Sequence, residues 1–220
     1  MKNNKHDFFW PSYADLMTSL FFIMLVLYVL TYAVLSNTIK AQEKDLAKIR
    51  AVDESLRPLK NDTNLFKYEE RYKRFQLAFN VKFEVDKFEL SHLENYPVTI
   101  DNINQAGQKL KTIVDDLLLR KSTDSTLKNV SYILIIAGYA SNFGDINSNY
   151  ILSHKRALAL WSHWKLKGID FEAPKYNELI DLQISGNGIG GIGREDVSKE
   201  ANNQRFLIQI FPKIGDLENK

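Results

Sequence analysis

The hydrophobic positions divide the chain into an apolar N-terminal run and a longer part with mixed helical and strand periodicity. Between residues 13 and 35 nearly every residue is apolar, and Asp15 is the only charged one. A helix of this length is long enough to cross a hydrocarbon core about 30 Å thick. Tyr13 and Tyr32 lie near the two ends, where interfacial aromatic residues are enriched. The pattern predicts a transmembrane helix over 13–35, preceded by a short cytoplasmic tail, 1–12.

A cleaved signal peptide is the alternative interpretation, with Lys2 and Lys5 as its basic start. The apolar run is longer than the usual signal-peptide core of about 7–15 residues, and no A-x-A cleavage site follows it. An uncleaved anchor is therefore favoured. A short N-terminal tail favours the cytoplasmic side for the N-terminus. The large C-terminal part would then lie in the periplasm of a bacterium with two membranes.

Residues 36–64 predict a helical connector with one apolar stripe. Spacings of three, four and seven residues place its members on one face: Ile39, Leu46, Ile49, Val52, Leu56 and Leu59. Parallel pairing of two copies of the chain would bury this stripe. Alternatively, the connector is an amphipathic helix that lies on the C-terminal domain and buries the stripe there. Pro58 is expected to end or kink the helix near Arg57.

Residues 65–220 predict a single α+β domain. Alternating or continuous apolar patterns indicate strands over 79–85, 130–137, 182–185 and 205–211, and helical periodicity indicates helices over 100–119 and 149–166. Leu152, Leu158, Ala159, Leu160 and Trp164 are the candidate core residues of the second helix. The order β-α-β-α-β-β indicates an α/β sandwich with both helices on one face of the sheet.

A glycine-rich stretch, GNGIGGIG at 186–193, separates the last two predicted strands. It does not enter a helix after a first strand, and no acidic residue follows at the spacing of a dinucleotide-binding motif. We expect a structural loop rather than a nucleotide site.

Composition narrows the function further. The chain has 29 basic and 27 acidic residues without a basic block, so nucleic acid is not an expected partner. It has no cysteine, which excludes disulfides and cysteine-based metal sites. His154 and His163 are nine residues apart, which is not a metal-ligand spacing, and no nucleophile–base pair stands out. We expect neither an enzyme nor a bound cofactor.

Asp15 is the residue with the most informative chemistry. A charge inside a bilayer is costly and usually functional. One interpretation places Asp15 at the membrane surface, with Ser12 or Asp15 capping the start of the helix. The other is an ion-carrying carboxylate, since partial desolvation favours the neutral form of such a group. Thr18 and Ser19 lie one turn on and offer hydroxyl ligands or small packing surfaces.

The motif YADLMT at 13–18 lies before a long apolar run and resembles the flagellar stator subunit MotB and its relatives. These are the B subunits of ion-driven motors. The resemblance implies that Asp15 carries a proton or a sodium ion, and Thr18, one turn on, is the candidate companion ligand. It also implies a homodimer inside a pentameric A subunit of the MotA or ZorA kind, and a connector that plugs the channel before activation.

Three motifs in the C-terminal part resemble the OmpA-like peptidoglycan-binding domain over roughly residues 80–212. They are IAGYAS at 136–141, NYILSHKRA at 149–157 and NQRFLI at 203–208. In that family an aspartate and an arginine hold the zwitterionic end of a diaminopimelate stem peptide. Arg156 matches the arginine, whereas Ser141 occupies the aspartate position.

The resemblance implies peptidoglycan as a partner, with an incomplete clamp at this site. Asp145 is the nearest acidic substitute, Asn142 and Asn149 offer neutral hydrogen bonds, and Arg205 belongs to the third motif. A surface position without a binding role is the alternative for Arg156.

The start FWPSYADLMT at 9–18 looks like the corresponding stretch of ZorB, the B subunit of the Zorya anti-phage defence system. The flagellar form usually has phenylalanine at the position of Leu16. A Zorya-type motor is therefore favoured over a flagellar one. A passive tether between membrane and cell wall, with no ion transport, is the competing hypothesis.

Overall fold

The computed structural model describes residues 9–79, 81–124, 127–191, 194, 200 and 203–213. The chain divides into two compact units, residues 1–46 and 47–220. The division falls within the segment that the sequence predicts as a connector. Each unit is described below by itself.

Helix α1 runs from Phe9 to Asn61. The part from Ser12 to Ala51 contains a window with mean hydropathy of 2.3, which is long and apolar enough to cross a membrane. Helix α1 continues through Pro58, so the expectation that the proline ends the helix near Arg57 is wrong. Proline removes one backbone donor and crowds the preceding turn. Pro58 lies in the last turn of α1, which ends at Asn61.

The last turns of α1 belong to the second unit and contribute to its core. Leu56 and Leu59 are both buried there, and Leu59 has no exposed surface. Glu54 lies 3.8 Å from Arg120, and Lys60 pairs with Asp53 at 2.5 Å. The end of the predicted stripe therefore packs on the C-terminal domain. Its earlier members behave differently, because Ile39, Leu46 and Ile49 remain exposed.

The second unit combines two long helices with one mixed sheet. Its elements are β1 (Phe66–Glu69), β2 (Arg74–Leu77), α2 (Tyr96–Thr123), β3 (Tyr132–Gly138), α3 (Ile146–Leu166), β4 (Ile180–Gly186) and β5 (Phe206–Pro212). The α+β class is confirmed, as are both helices of the domain and its last three strands. The order is β-β-α-β-α-β-β, which has one strand more than the predicted order.

Within the described residues, five strands form one sheet in the order β1-β2-β5-β3-β4. β3 pairs in parallel with β4 and antiparallel with β5. Leu134 lies opposite Ile210 and Ile136 lies opposite Ile208, and all four side chains are buried in the main core. The intervening side chains point to the other face, where Ala137, Tyr139 and Leu207 form a small second cluster.

The two helices are held together by a buried tryptophan. Trp164 of α3 donates its indole N–H to the carbonyl oxygen of Ile103 in α2, at 2.9 Å. Helix α3 also lies very close to the ends of β3 and β4. A Cβ atom on Gly138 would lie 2.2 Å from the carbonyl oxygen of Ser153, and one on Gly186 would lie 2.5 Å from the backbone nitrogen of His154. Glycine is required at both positions because any side chain would push the helix away.

The predicted first strand over 79–85 is wrong. In its described part only Phe83 makes an isolated bridge, to Leu93. The alternation still reports burial, since Val81 and Phe83 are buried whereas Val85 is 87% exposed. The β1–β2 hairpin takes the sheet position instead, through pairing of β2 with β5. The alternating pattern predicts which side chains are buried. Forming a strand also requires a sheet edge with free backbone groups, and the β1–β2 hairpin already pairs with β5 there.

The predicted core of α3 is partly correct. Leu160 and Trp164 are fully buried, as expected, and Leu158 is exposed. Leu152 and Ala159 are half-buried. Ala157 and Arg156 are buried as well, although neither is among the predicted core residues. The buried face of α3 therefore combines small residues, Ser153 and Ala157, with the large side chains of Arg156, Leu160 and Trp164.

Candidate functional site: a helix carboxylate and a charged groove

Asp15 lies inside α1, six residues after Phe9, and its side chain is exposed. The alternative that Ser12 or Asp15 caps the helix start is therefore wrong. The hydroxyl of Thr18 donates to the carbonyl oxygen of Ala14 at 2.7 Å, and the hydroxyl of Ser19 donates to that of Asp15 at 2.8 Å. Both hydroxyl protons are used by the backbone, so the hydroxyl oxygens can only accept or coordinate. Residues 15, 18 and 19 share one side of the helix.

A groove of about 350 Å³ lies in the second unit, at the start of α3. Its lining comes from the segment before the 90–92 turn, from the loop between β3 and α3, and from the first turns of α3. These residues are Asp86, Phe88, Phe143, Gly144, Asp145, Ser148, Asn149, Ile151, Leu152 and Lys155. Two of the predicted site residues, Asp145 and Asn149, are among them.

Asp145 is the N-cap of α3. Its carboxylate accepts the backbone N–H of Ser148 at 2.8 Å, which is the usual interaction at a helix start. This hydrogen bond and the neighbouring backbone N–H groups lower the pKa of the Asp145 carboxyl below its ordinary value. The carboxylate is therefore charged at neutral pH, but one of its oxygens is already engaged.

Asn149 is buried and fixes the loop that forms one wall of the groove. Its side-chain amide donates to the carbonyl oxygen of Phe143 at 2.8 Å. Ser141 is half-buried outside the groove, and its hydroxyl is 3.5 Å from the amide nitrogen of Gln204. Ser141 is therefore not part of this groove.

Arg156 is 2% exposed, so the alternative of a surface residue is wrong. Its Nε donates to the carbonyl oxygen of Lys87 at 3.1 Å, and its guanidinium lies 4.4 Å from the ring centroid of Phe83. Within the described residues its Nη1 atom is buried without a hydrogen-bond partner. Burial lowers the pKa of Arg156 to about 10, and the nearby carboxylate of Asp86 opposes that shift.

Arg205 lies just before β5 rather than in the groove. Its Nη1 donates to the side-chain oxygen of Gln76 at 3.1 Å, and its guanidinium lies 5.4 Å from the ring centroid of Tyr139. Its carbonyl oxygen also accepts the backbone N–H of Tyr139. These contacts join β2, β5 and the end of β3, so they are structural.

A buried carboxylate fastens the loop after β3. Glu200 accepts the backbone N–H of Asn142 and a guanidinium N–H of Arg194, both at 2.5 Å, and the side-chain amide of Asn203 at 2.9 Å. Glu200 is buried. It therefore holds the loop that carries Ser141 and does not face a ligand.

Sequence reasoning missed two charged residues of the groove, Asp86 and Lys155. Both are exposed, and the Lys155 ammonium lies 5.1 Å from the ring centroid of Phe88. Lys155 precedes Arg156 inside the second family-like motif, where the motif assigns no role to it. Asp86 has a left-handed backbone with φ of 58°, which ordinary residues rarely adopt. The strand that the sequence predicts over 79–85 ends just before Asp86, so its pattern gives that residue no role.

No group of three or more His, Asp or Glu side chains within the described residues is arranged to hold a metal ion. His163 lies 2.7 Å from the side-chain oxygen of Asn104, and burial lowers its pKa. This contact links α2 with α3 and leaves His163 neutral at physiological pH.

No protein-family model matches the chain, and no curated protein matches it. Among solved structures, a putative MotB-like protein from Desulfovibrio vulgaris is 12% identical, with a TM-score of 0.40, covering 74% of this chain and 96% of that one. The periplasmic domain of Helicobacter pylori MotB is 16% identical, with a TM-score of 0.37, and the match covers 69% of this chain and 91% of that one. A peptidoglycan-associated lipoprotein from Burkholderia pseudomallei is 16% identical, with a TM-score of 0.35, covering 60% and 88%. These similarities are distant, and the function below is argued from the residues of this chain.

Proposed function

We propose that this chain is the non-enzymatic B subunit of an ion-driven rotary motor in the bacterial inner membrane. The observation that carries the proposal is the single carboxylate of Asp15, placed within the apolar part of α1 beside two hydroxyl groups. Asp15 binds and releases a proton or a sodium ion, and Thr18 offers an additional oxygen. The C-terminal domain lies in the periplasm and holds the subunit stationary on peptidoglycan.

A single helix cannot shield its own carboxylate from lipid. An ionisable group inside the membrane almost always faces another helix or a water-filled path. The described part of α1 offers no basic side chain between residues 13 and 35 that would neutralise Asp15. A partner subunit must therefore provide the rest of the ion path. The motif resemblance supports a pentameric MotA- or ZorA-like A subunit as that partner, surrounding two copies of this chain.

Dimer formation has a matching surface in the first part of the connector. Ile39, Leu46 and Ile49 form an apolar stripe that stays exposed, whereas Leu56 and Leu59 are used by the domain of the same chain. Two parallel copies of α1 would bury the exposed part of the stripe. This part of the helix would also be the one available as a channel plug.

The groove at the start of α3 is the proposed contact with peptidoglycan. It places acidic side chains, Asp86 and Asp145, in the same cleft as a basic one, Lys155. Stem peptides of the diaminopimelate type end in a group with both an ammonium and a carboxylate. A cleft with both charges suits such a group, because each charge can form a charge-assisted hydrogen bond.

A role in Zorya-type anti-phage defence is supported by the stretch at 9–18, with Leu16 in place of the phenylalanine usual in flagellar subunits. A flagellar-type stator is the second candidate. Both share the same ion-carrying residue and the same partner architecture, so a single experiment tests the motor itself.

The test is affinity capture of the tagged chain from native membranes in a mild detergent, with native mass spectrometry of the eluted complex. We expect two copies of this chain with five copies of a multi-span membrane protein. A dimer without any membrane partner in several detergents would contradict the motor and favour a passive membrane-to-wall tether.

A further inference from the structure

We propose that Lys155 and Asp86, and not Arg156 and Ser141, are the charged residues that contact the stem peptide, and that Arg156 positions the Asp86 segment. This inference rests on the proposed function, because it concerns the peptidoglycan site. It assigns the carboxylate of the ligand to Lys155 and the ammonium to Asp86.

Arg156 is built into the domain rather than presented to a ligand. Only 2% of its surface is exposed, its Nε is held by the carbonyl oxygen of Lys87, and its guanidinium lies over the ring of Phe83. These two partners flank Asp86 in the chain. The guanidinium therefore holds in place the segment that carries Asp86. It also keeps a positive charge close to the carboxylate of Asp86.

Lys155 is the exposed cation of the groove. Its side chain lies in the cleft lining together with Asp86, and its ammonium is 5.1 Å from the ring centroid of Phe88. That aromatic contact leaves the three ammonium donors available for a carboxylate. Lys155 also immediately precedes the buried arginine, so it sits at the family-like motif but on the solvent side of the helix.

Asp86 is the acidic residue best placed for an ammonium. Asp145 shares the cleft, but one of its oxygens caps α3 through Ser148. Within the described residues the carboxylate of Asp86 makes no hydrogen bond or ion pair, and its left-handed backbone turns the segment at this point. Ser141 lies outside the cleft and carries no charge. The acidic partner that is missing at position 141 is thus supplied from a different segment.

This arrangement predicts the chemical class of the ligand. A side chain that carries an ammonium and a carboxylate on one carbon satisfies both residues. A lysine-type stem peptide ends in an ammonium alone, so it leaves Lys155 without a partner. We therefore expect the domain to prefer the diaminopimelate form and to lose this preference when Lys155 is neutralised.

The experiment measures binding of two muropeptides to the full chain in detergent micelles by isothermal titration calorimetry. The two tetrapeptides differ only in carrying meso-diaminopimelate or L-lysine at the third position. The variants are Lys155→Gln, Asp86→Asn and Arg156→Lys. Lys167→Gln, at the other end of α3, and Asp101→Asn, on α2, are the matched controls, since both are exposed and lie outside the groove.

We expect Lys155→Gln to weaken binding of the diaminopimelate peptide at least about tenfold and to leave the lysine peptide unchanged. Asp86→Asn should weaken both peptides, because both carry the ammonium. Arg156→Lys alone should weaken binding of both peptides. Added to Asp86→Asn, it should have little further effect on binding. That dependence separates a positioning role from a general loss of stability, which would persist in the double variant.

Two results would overturn the inference while leaving peptidoglycan binding intact. One is wild-type affinity in both Lys155→Gln and Asp86→Asn. The other is loss of the diaminopimelate preference in Arg156→Lys with Lys155 unchanged. If the wild-type chain binds neither muropeptide nor purified sacculi, the proposed wall attachment is itself wrong.

Discussion

At the scale of single residues, an ion pair between α2 and the segment before β4 makes stability depend on pH. Asp115 lies 2.6 Å from both the ammonium of Lys175 and the hydroxyl of Tyr176. Burial opposes ionisation of Asp115, but these hydrogen bonds and the positive charge of Lys175 outweigh it and lower its pKa. The carboxylate is thus more acidic in the folded chain than in the unfolded one.

We expect Asp115→Asn to reduce the free energy of unfolding by up to about 1 kcal/mol at pH 7, since the pair is partly exposed. The lowered pKa makes this contribution complete above the unfolded value of about 3.9, and it disappears as the pH falls through the folded value. Thermal unfolding of the two proteins at several pH values, followed by near-ultraviolet circular dichroism, measures the difference. An equal difference at pH 7 and pH 2 would contradict this origin.

The contact between β3 and α3 gives a second prediction for a single residue. In Gly138→Ala the new Cβ would meet the backbone carbonyl of Ser153 at 2.2 Å, and a backbone atom cannot turn aside. We expect a loss of at least about 1–3 kcal/mol in the free energy of unfolding. Gly168→Asn is the control, because that site is open and asparagine tolerates its left-handed conformation. Equal stability of the two variants would show that α3 can move away at no cost.

The same scale shows where the sequence is insufficient for the site. The motif at 149–157 correctly places Asn149 and Arg156 on one helix, but Arg156 packs against the segment 83–88, which is about 70 residues earlier in the chain. Tertiary packing of that segment covers Arg156 and brings Asp86 to the groove. The motif alone does not show which of two adjacent cations, Lys155 or Arg156, faces solvent. Adjacent residues on a helix lie about 100° apart, so either side chain could lie at the edge of the buried face.

At the scale of elements, the apolar stripe of the connector helix has a buried end and an exposed end. The periodicity correctly predicts a helix with one apolar face, but only the C-terminal end of that face is buried. Leu56 and Leu59 are buried by the domain of the same chain, whereas Ile39 and Leu46 remain exposed. The sequence left pairing of two chains and packing on the domain as alternatives. The structure assigns the domain contact to the C-terminal end of the stripe.

This division predicts separate effects for matched leucine substitutions. Leu59→Ala should lower the free energy of unfolding by about 2–5 kcal/mol, because it leaves a cavity in the core. Leu46→Ala, at a position that is 46% exposed, should change it by less than about 0.5 kcal/mol. Chemical unfolding of the solubilised chain measures both values. Comparable losses would mean that residue 46 is buried as well.

Element prediction succeeded where periodicity and length were both strong. Helices α2 and α3 and strands β3, β4 and β5 were predicted close to their final bounds. The prediction of a strand over 79–85 was wrong because alternation indicates that one side of a segment is buried, not that its backbone pairs with another strand. The backbone N–H of Phe83 instead donates to the side chain of Gln204, and the β1–β2 hairpin occupies the edge beside β5.

At the scale of the whole molecule, the proposed motor function requires two sites that belong to different units. The first unit offers a carboxylate in an apolar helix, and the second offers a groove with both signs of charge. A motor needs both sites, because an ion-carrying group performs no work unless its subunit is held stationary. A tether needs only the groove and an anchor helix. The two functions therefore differ in their response to one substitution.

Asp15→Asn is the substitution that separates them. Asparagine keeps the size and polarity of the side chain but cannot take up and release a proton, so the complex should assemble and the motor should not turn. The host strain lacking the chain is complemented with wild type, Asp15→Asn or Asp15→Glu, and phage plating and swimming are both scored. Asp15→Glu is the matched control, because it retains a titratable carboxylate one methylene further from the helix.

We expect Asp15→Asn to lose phage protection by at least about tenfold with normal amounts of assembled complex, and Asp15→Glu to retain part of it. Loss of swimming with unchanged plating would instead identify the flagellar role. Full function of Asp15→Asn in both assays, together with loss of function in Lys155→Gln, would contradict ion transport and leave a passive tether. The response to the loss of one titratable group thus decides between a moving and a static role for the same fold.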